Sequence, residues 1–240
     1  MIDIKNLSKS YNKGNVKAVD NLNLHVNPGE IFGFIGPNGA GKTTTIKMMV
    51  GLLNPDVGNI TLNGLNIQKQ AIEAKKRIGY VPDNPDVYDR LTGIEYLNFM
   101  SDVYQVPSDM RKERIGYFLE MLDLKDAASD LIKSYSHGMK QKIALTGALI
   151  HDPVLWILDE PIVGLDPKSA HLLKEMMRSH CDKGNTVFFS THILEVAEKL
   201  CDRLAIINKG RLIAIGSLEE LRKGDQAESL ENIFLELTDK

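Results

Sequence analysis

Gly36-Pro37-Asn38-Gly39-Ala40-Gly41-Lys42-Thr43 decides how this chain is read. The stretch has the form G-x-x-x-x-G-K-[ST], and its flanks give it meaning. Before it, Glu30-Ile31-Phe32-Gly33-Phe34-Ile35 is a short apolar run expected to form a buried strand. After it, residues 44–53 are expected to form a helix closed by Asn54-Pro55. A strand, a glycine loop and a helix in that order make a phosphate cradle. Glycines let successive N–H groups curl toward phosphate oxygens, and the helix beginning near Gly41 adds the positive end of its dipole. Lys42 can reach the β- and γ-phosphates, and Thr43 offers a hydroxyl to Mg²⁺. Asn38, Gly39, Ala40, Gly41 and Thr44 complete the expected contacts to a nucleoside triphosphate.

At 240 residues the chain is long enough to bury a substantial core, as one large domain or two modest ones. A formal net charge of -3 gives no reason to expect a nucleic-acid partner. Cys181 and Cys201 lie far apart in no metal-ligand pattern and read as reduced, part-buried thiols. No apolar run is long enough to span a bilayer, and the first residues lack the layout of a signal peptide. A role at a membrane would therefore need another chain to supply the membrane part.

Outward from the glycine loop, residues 2–7 and 19–26 alternate like strands around a polar turn, Asn12-Lys13-Gly14-Asn15. A short strand is expected at 60–62, a helix at 68–76 and a strand at 77–81, ending at Pro82. Helical periodicity then takes over, at 93–106, at 109–122 with Ser108 as N-cap, and at 139–150. Alternation of strand and helix returns with strands at 154–158 and 186–190, helices at 168–183 and 193–200, and strands at 204–207 and 212–215. A short amphipathic helix is expected at 229–237 after a loose Gly224-Asp225-Gln226. The simplest architecture is a mixed α/β core interrupted by an all-helical insert.

The second chemical signal is Val154-Leu155-Trp156-Ile157-Leu158 followed by Asp159-Glu160. An all-apolar run suits a strand buried on both faces, and acids at its C-terminal end fall where open α/β sheets bind ligands. Asp159 suits Mg²⁺, directly or through its water, and Glu160 suits a general base toward the attacking water. Taken alone, the pair is also compatible with an acidic helix entry.

These residues resemble the ATP-binding subunit of the ABC transporter family, over roughly residues 2–221 and in the family's motif order. The resemblance implies an α/β fold with a P-loop NTPase core and mixed sheet, an N-terminal antiparallel β subdomain and an α-helical insert. It implies one ATPase domain over 1–225, with an ATP-binding core at 1–82 and 151–225, a helical part at 83–150 and a terminal helix at 226–240. Tyr11 matches the aromatic residue that stacks on adenine, with Val16 as a second apolar contact, though a tyrosine there also suits an ordinary turn. Gly164-Leu165-Asp166 matches the loop that crosses between paired subunits, and Ser190-Thr191-His192 matches a histidine switch toward the γ-phosphate and the base.

The family signature, usually Leu-Ser-Gly-Gly-Gln, stands here as Tyr135-Ser136-His137-Gly138-Met139. Ser136 and Gly138 are kept, and the resemblance implies that they bind the γ-phosphate held by the opposite subunit. By itself this stretch also reads as a serine N-cap with His and Met packing. Two positions depart further: Asp83-Asn84 stand where glutamine is common, with Asp83 still able to offer oxygen to Mg²⁺, and Ile162-Val163 stand where a small polar residue is frequent. The signature variant is similar to that of bacterial exporters of drugs, peptide antibiotics or lipids.

The implied function is ATP binding and hydrolysis, with ATP and Mg²⁺, in a homo- or heteromeric pair. That pair would drive transport, with export favoured, through a membrane-spanning permease at the cytoplasmic face of the membrane. An importer ATPase and a soluble ATP-gated protein without a transporter are the alternatives.

Overall fold

The computed structural model describes residues 1–14, 16–85, 87–222 and 229–238. Asn15 of the expected first turn, the Gly224-Asp225-Gln226 stretch and the expected boundary at 225/226 lie outside the described residues. In chain order, β1 (Ile2–Tyr11) and β2 (Val16–Val26) form a hairpin, and β3 (Ile31–Ile35) leads through the glycine loop to α1 (Lys42–Met49). Next come β4 (Val57–Leu62), β5 (Leu65–Asn66), α2 (Ala71–Lys75) and β6 (Ile78–Val81). The helices α3 (Gly93–Val103), α4 (Ser108–Met121) and α5 (His137–Leu149) follow. The chain then runs through β7 (Leu155–Asp159), α6 (Pro167–Asp182), β8 (Thr186–Thr191), α7 (Leu194–Leu200), β9 (Arg203–Asn208) and β10 (Arg211–Gly216). It closes with α8 (Leu218–Leu221) and α9 (Leu230–Thr238).

One sheet is antiparallel, in the order β2-β1-β4-β5, and the other has the order β10-β9-β3-β8-β7-β6. In the second, β9, β3, β8, β7 and β6 are parallel, and β10 is an antiparallel edge. Every residue of β3, β7 and β8 is buried, as expected of strands covered on both faces. The period of two divides the side chains between layers. Leu155, Ile157 and Phe188 pack toward the antiparallel sheet and α1, while Trp156, Leu158, Val187 and Phe189 pack toward the helices. Burying side chains of this size stabilises the fold by roughly 1.5–3 kcal/mol each.

Local chemistry moves several element ends from their expected places. α1 stops at Met49 because Gly51, at φ 67°, closes it: the Gly51 N–H donates to Met48 O and the Leu52 N–H to Lys47 O. The helix expected from residue 68 begins at Ala71, since the Asn66 side chain accepts the N–H groups of Gln68 and Lys69 at 3.0 Å. Ser108 is not the N-cap of α4. Pro107 holds that position without a side-chain hydrogen bond, and Ser108 is the first helical residue. α5 starts earlier than expected, with Ser136 as its cap accepting from Met139 N at 3.2 Å. The short α8 was not expected, although Ser217 and Glu220 form a capping box legible as S-x-x-E. Cys181 and Cys201 are free thiols, and burial pushes the Cys181 thiol up to about 11.

Two histidines, His151 half-buried and His180 buried, tie helices to the sheet. His151 stacks on Tyr104 at 3.6 Å with its Nε2 3.2 Å from Ile78 O, and His180 meets the Trp156 ring edge-on at 5.8 Å. Burial pushes both imidazoles down to about 4 from an ordinary 6.5. A histidine depressed in the fold is protonated first in the unfolded chain, so stability is full above pH 6.5 and declines as pH falls toward 4. Urea unfolding at pH 7.5 and 5.0 is expected to show this decline. A His180→Gln variant is expected to lose up to about 1 kcal/mol per pH unit of the slope.

Candidate functional site

The site lies where the parallel strands end. β3 delivers the glycine loop, β7 ends in Asp159 and Glu160, and β8 ends beside His192, because Ile35 pairs with Thr191 and Asp159 with Ser190 in register. Beneath the loop the packing is tight. A Cβ on Gly36 would overlap the carbonyl oxygen of Ile207, and one on Gly41 that of Ala18. Gly41, at φ 109°, caps α1 with no side-chain hydrogen bond, so no side chain occupies the helix start where an anion would dock.

A cleft of about 200 Å³ is lined by Ala18, the loop from Pro37 to Thr44, Asp83 and Glu160. Lys42 is buried, and its Nζ donates to Gly36 O at 2.7 Å and Pro37 O at 3.3 Å. The same Nζ lies 3.2 Å from Glu160 Oε1. The other Glu160 oxygen, Oε2, lies 3.0 Å from His192 Nδ1 and accepts from the His192 N–H at 3.3 Å. Lysine, glutamate and histidine thus form one chain across the mouth of the cleft.

Asp159 lies behind this chain, 1% exposed. Ser190 Oγ donates to its Oδ1 at 2.5 Å, while Oδ2 is buried with no hydrogen-bond partner. Burial pushes its carboxyl above the usual range against the pull of the Ser190 and Thr43 hydroxyls, and the charges of Asp83 and Glu160 add to the rise. A buried anion with one free oxygen, beside a threonine hydroxyl and a second acid, is a donor set that fits a hard divalent cation such as Mg²⁺.

The structure brings together Asn38, Gly39, Ala40, Gly41, Lys42, Thr43, Thr44, Asp83, Asp159, Glu160 and His192. It does not bring in the others. Tyr11 and Val16 pair across the end of the β1–β2 hairpin, 41% and 50% exposed, and neither lines the cleft. Ser136 and Gly138 sit at the start of α5 and are not among the lining residues either; an ideal Cβ on Gly138 would lie 4.0 Å from Gly164 O. Sequence reasoning missed Ala18, which no motif marks, and the bond from Ser190 to Asp159, which follows from the pairing of β7 with β8. A second cleft of about 250 Å³, between α4 and α6, contains none of the expected residues.

The raised Asp159 carboxyl carries a sign. Its charged form opposes folding above its folded-state pKa, and the opposition disappears below the ordinary 3.8. At pH 7.5 and without nucleotide, Asp159→Asn is expected to raise Tm. It is also expected to abolish the further rise that MgATP is expected to give the unaltered chain through preferential binding to the fold. Differential scanning with and without MgATP reads both effects. Gly36→Ala is expected to weaken nucleotide binding by about tenfold or more in a fluorescent-nucleotide titration, because the loop must move off Ile207.

The sequence profile of the ABC transporter family matches residues 19–163. The linearmycin resistance ATP-binding protein LnrL of Bacillus subtilis is 41% identical over 92% of this chain and 70% of its own length. A Nod factor export ATP-binding protein I of Cupriavidus metallidurans is 39% identical over 92% of this chain and 72% of its own. Among solved structures, an ATP-binding subunit of an ABC transporter superposes with a TM-score of 0.94 at 34% identity, covering 99% of both chains. A bacterial ABC transporter cassette solved as a dimer gives a TM-score of 0.83 at 25% identity over 91% of this chain and 99% of its own. With the glycine loop, Asp159, Glu160 and His192 gathered at the strand ends, these likenesses establish that the chain belongs to the ABC transporter family, as an ATP-binding subunit.

Proposed function

We propose that this chain hydrolyses ATP with Mg²⁺ and works as a pair that drives export through a separate membrane-spanning permease. The observation that carries the chemistry is the placement of Lys42 and Glu160 in one cleft, 3.2 Å apart. Residues 1–82 and 151–225 would serve as the ATP-binding core, 83–150 as the helical part and 226–240 as the terminal helix.

ATP entering the cleft takes Lys42 Nζ from Gly36 O, Pro37 O and Glu160, since the phosphate chain carries more negative charge than one carboxylate. The N–H groups of Asn38 to Thr44 line the phosphate chain. Thr43 and Asp159, with Asp83 at hand, would hold Mg²⁺, which would neutralise phosphate charge when bound. Once released from Lys42, Glu160 accepts the proton of the attacking water, and His192 holds its second oxygen in place. Tyr11 and Val16 stand exposed at the hairpin end, where an adenine ring would cover them.

Ser136 and Gly138 do not line their own cleft, which favours a second subunit whose nucleotide they meet. Closure on ATP and opening after hydrolysis then follow from differential affinity for the nucleotide. Among the described residues no helix is long and apolar enough to cross a membrane. Leu52, Ile72, Tyr88, Phe99 and Val103 are exposed apolar side chains, the kind of surface a partner covers. The names of the relatives, linearmycin resistance and Nod factor export, support export as the direction.

Glu160→Gln is expected to keep ATP binding and lower turnover roughly 100-fold or more. Unchanged turnover removes Glu160 as the base. Tagged Glu160→Gln protein loaded with MgATP and captured from detergent-solubilised membranes is expected to bring down a polytopic membrane protein. Recovery of only itself or soluble companions, across several detergents, refutes the transporter role.

A further inference from the structure

Glu160 has φ 50° and is followed by Pro161. A non-glycine residue keeps this left-handed conformation only where its surroundings over-determine it. The β-sheet supplies part of the restraint: Glu160 N donates to Ser190 Oγ at 3.1 Å and to Ser190 O at 3.2 Å. Val163 N donates back to Glu160 O at 3.2 Å. A further bond comes from a different layer. Gln141, on α5 and wholly buried, donates its Nε2 to Pro161 O at 3.1 Å.

The other end of that amide is revealing. Gln141 Oε1 is buried with no hydrogen-bond partner, an unfavourable arrangement that an apolar side chain of similar volume would avoid. Packing alone therefore gives no reason for an amide here, whereas holding the Pro161 carbonyl does. The same helix touches the same turn again at its first residue. A Cβ on Gly164 would lie 2.7 Å from His137 Cδ2, so the imidazole rests against that glycine. α5 thus grips the 160–164 turn at both ends.

We infer that Gln141 is a positioning residue for the base: its bond to Pro161 fixes the peptide that follows Glu160 and so aims the Glu160 carboxylate. The inference rests on the ATPase reading above. It predicts an effect on the chemical step with little effect on nucleotide binding, because Gln141 does not line the phosphate cleft.

The test uses two variants of the full chain. Gln141→Met keeps length and approximate volume but removes the donor, and Gln141→Asn keeps the amide but shortens its reach. Both are expected to lower kcat about tenfold or more while leaving KM for ATP within about twofold. Neither is expected to lower the residual rate of a Glu160→Gln chain further, since both changes disable the same group. The Met variant is expected to melt no lower than the unaltered chain; if it does not fold, the Asn variant decides. Unchanged kcat, kcat and KM shifting together, or an equal further loss in the Glu160→Gln background each overturns the inference. Failure of the ATPase reading looks different: the unaltered chain would turn over ATP no faster than Glu160→Gln, and the inference would fall with it.

Discussion

The parallel register of β3, β7 and β8 is the constraint on which the rest depends. Each strand is buried on both faces, so a slip by one residue would exchange the Phe188 layer for the Phe189 layer and leave both packed wrongly. With the register fixed, three strands end at one level and hand over the glycine loop, the two acids and the Ser190-Thr191-His192 run together. The site is a consequence of hydrophobic packing that lies below it. The glycines serve that packing as well as the ligand, because Gly36 and Gly41 lie against the carbonyls of Ile207 and Ala18.

Within that frame the charges satisfy one another before any phosphate arrives. Lys42 is nearly closed off from solvent, and its ammonium rests on two loop carbonyls and on Glu160. Breaking such a buried pair by removing one partner leaves an uncompensated charge, so a phosphate that takes over Lys42 keeps the ammonium paired while Glu160 retains only its contact to His192. Asp159 is in the opposite condition. It retains a buried oxygen without a partner and is pushed toward its neutral form, an arrangement that a cation would relieve.

Much of the fold was legible because its signals are local. The apolar runs at β3, β7 and β8, the helical periodicity from α3 to α5 and the turn residues are each readable within a few positions. Element ends were less legible, and for identifiable reasons. Gly51 closed α1 early through its left-handed backbone, Asn66 captured the N–H groups that would have begun α2, and Pro107 took the cap position expected of Ser108. In each case two neighbouring signals competed, and which one prevailed depended on hydrogen-bond partners that spacing does not reveal.

By itself the sequence determined the phosphate loop, the acids at the end of a buried strand and the ATP-binding cassette that these motifs belong to, because each is a run of contiguous residues with its own chemistry. Tertiary structure alone decided what those residues touch. Lys42 meets Glu160 across 118 positions only because β3 and β7 flank β8. Ala18 enters the cleft through a hairpin, and Gln141 reaches Pro161 from another layer. Ser136 and Gly138, though legible as a motif at the start of α5, are not among the residues that line their own chain's cleft. Contacts of this kind depend on how layers stack, and stacking is set by the whole core rather than by any stretch of chain.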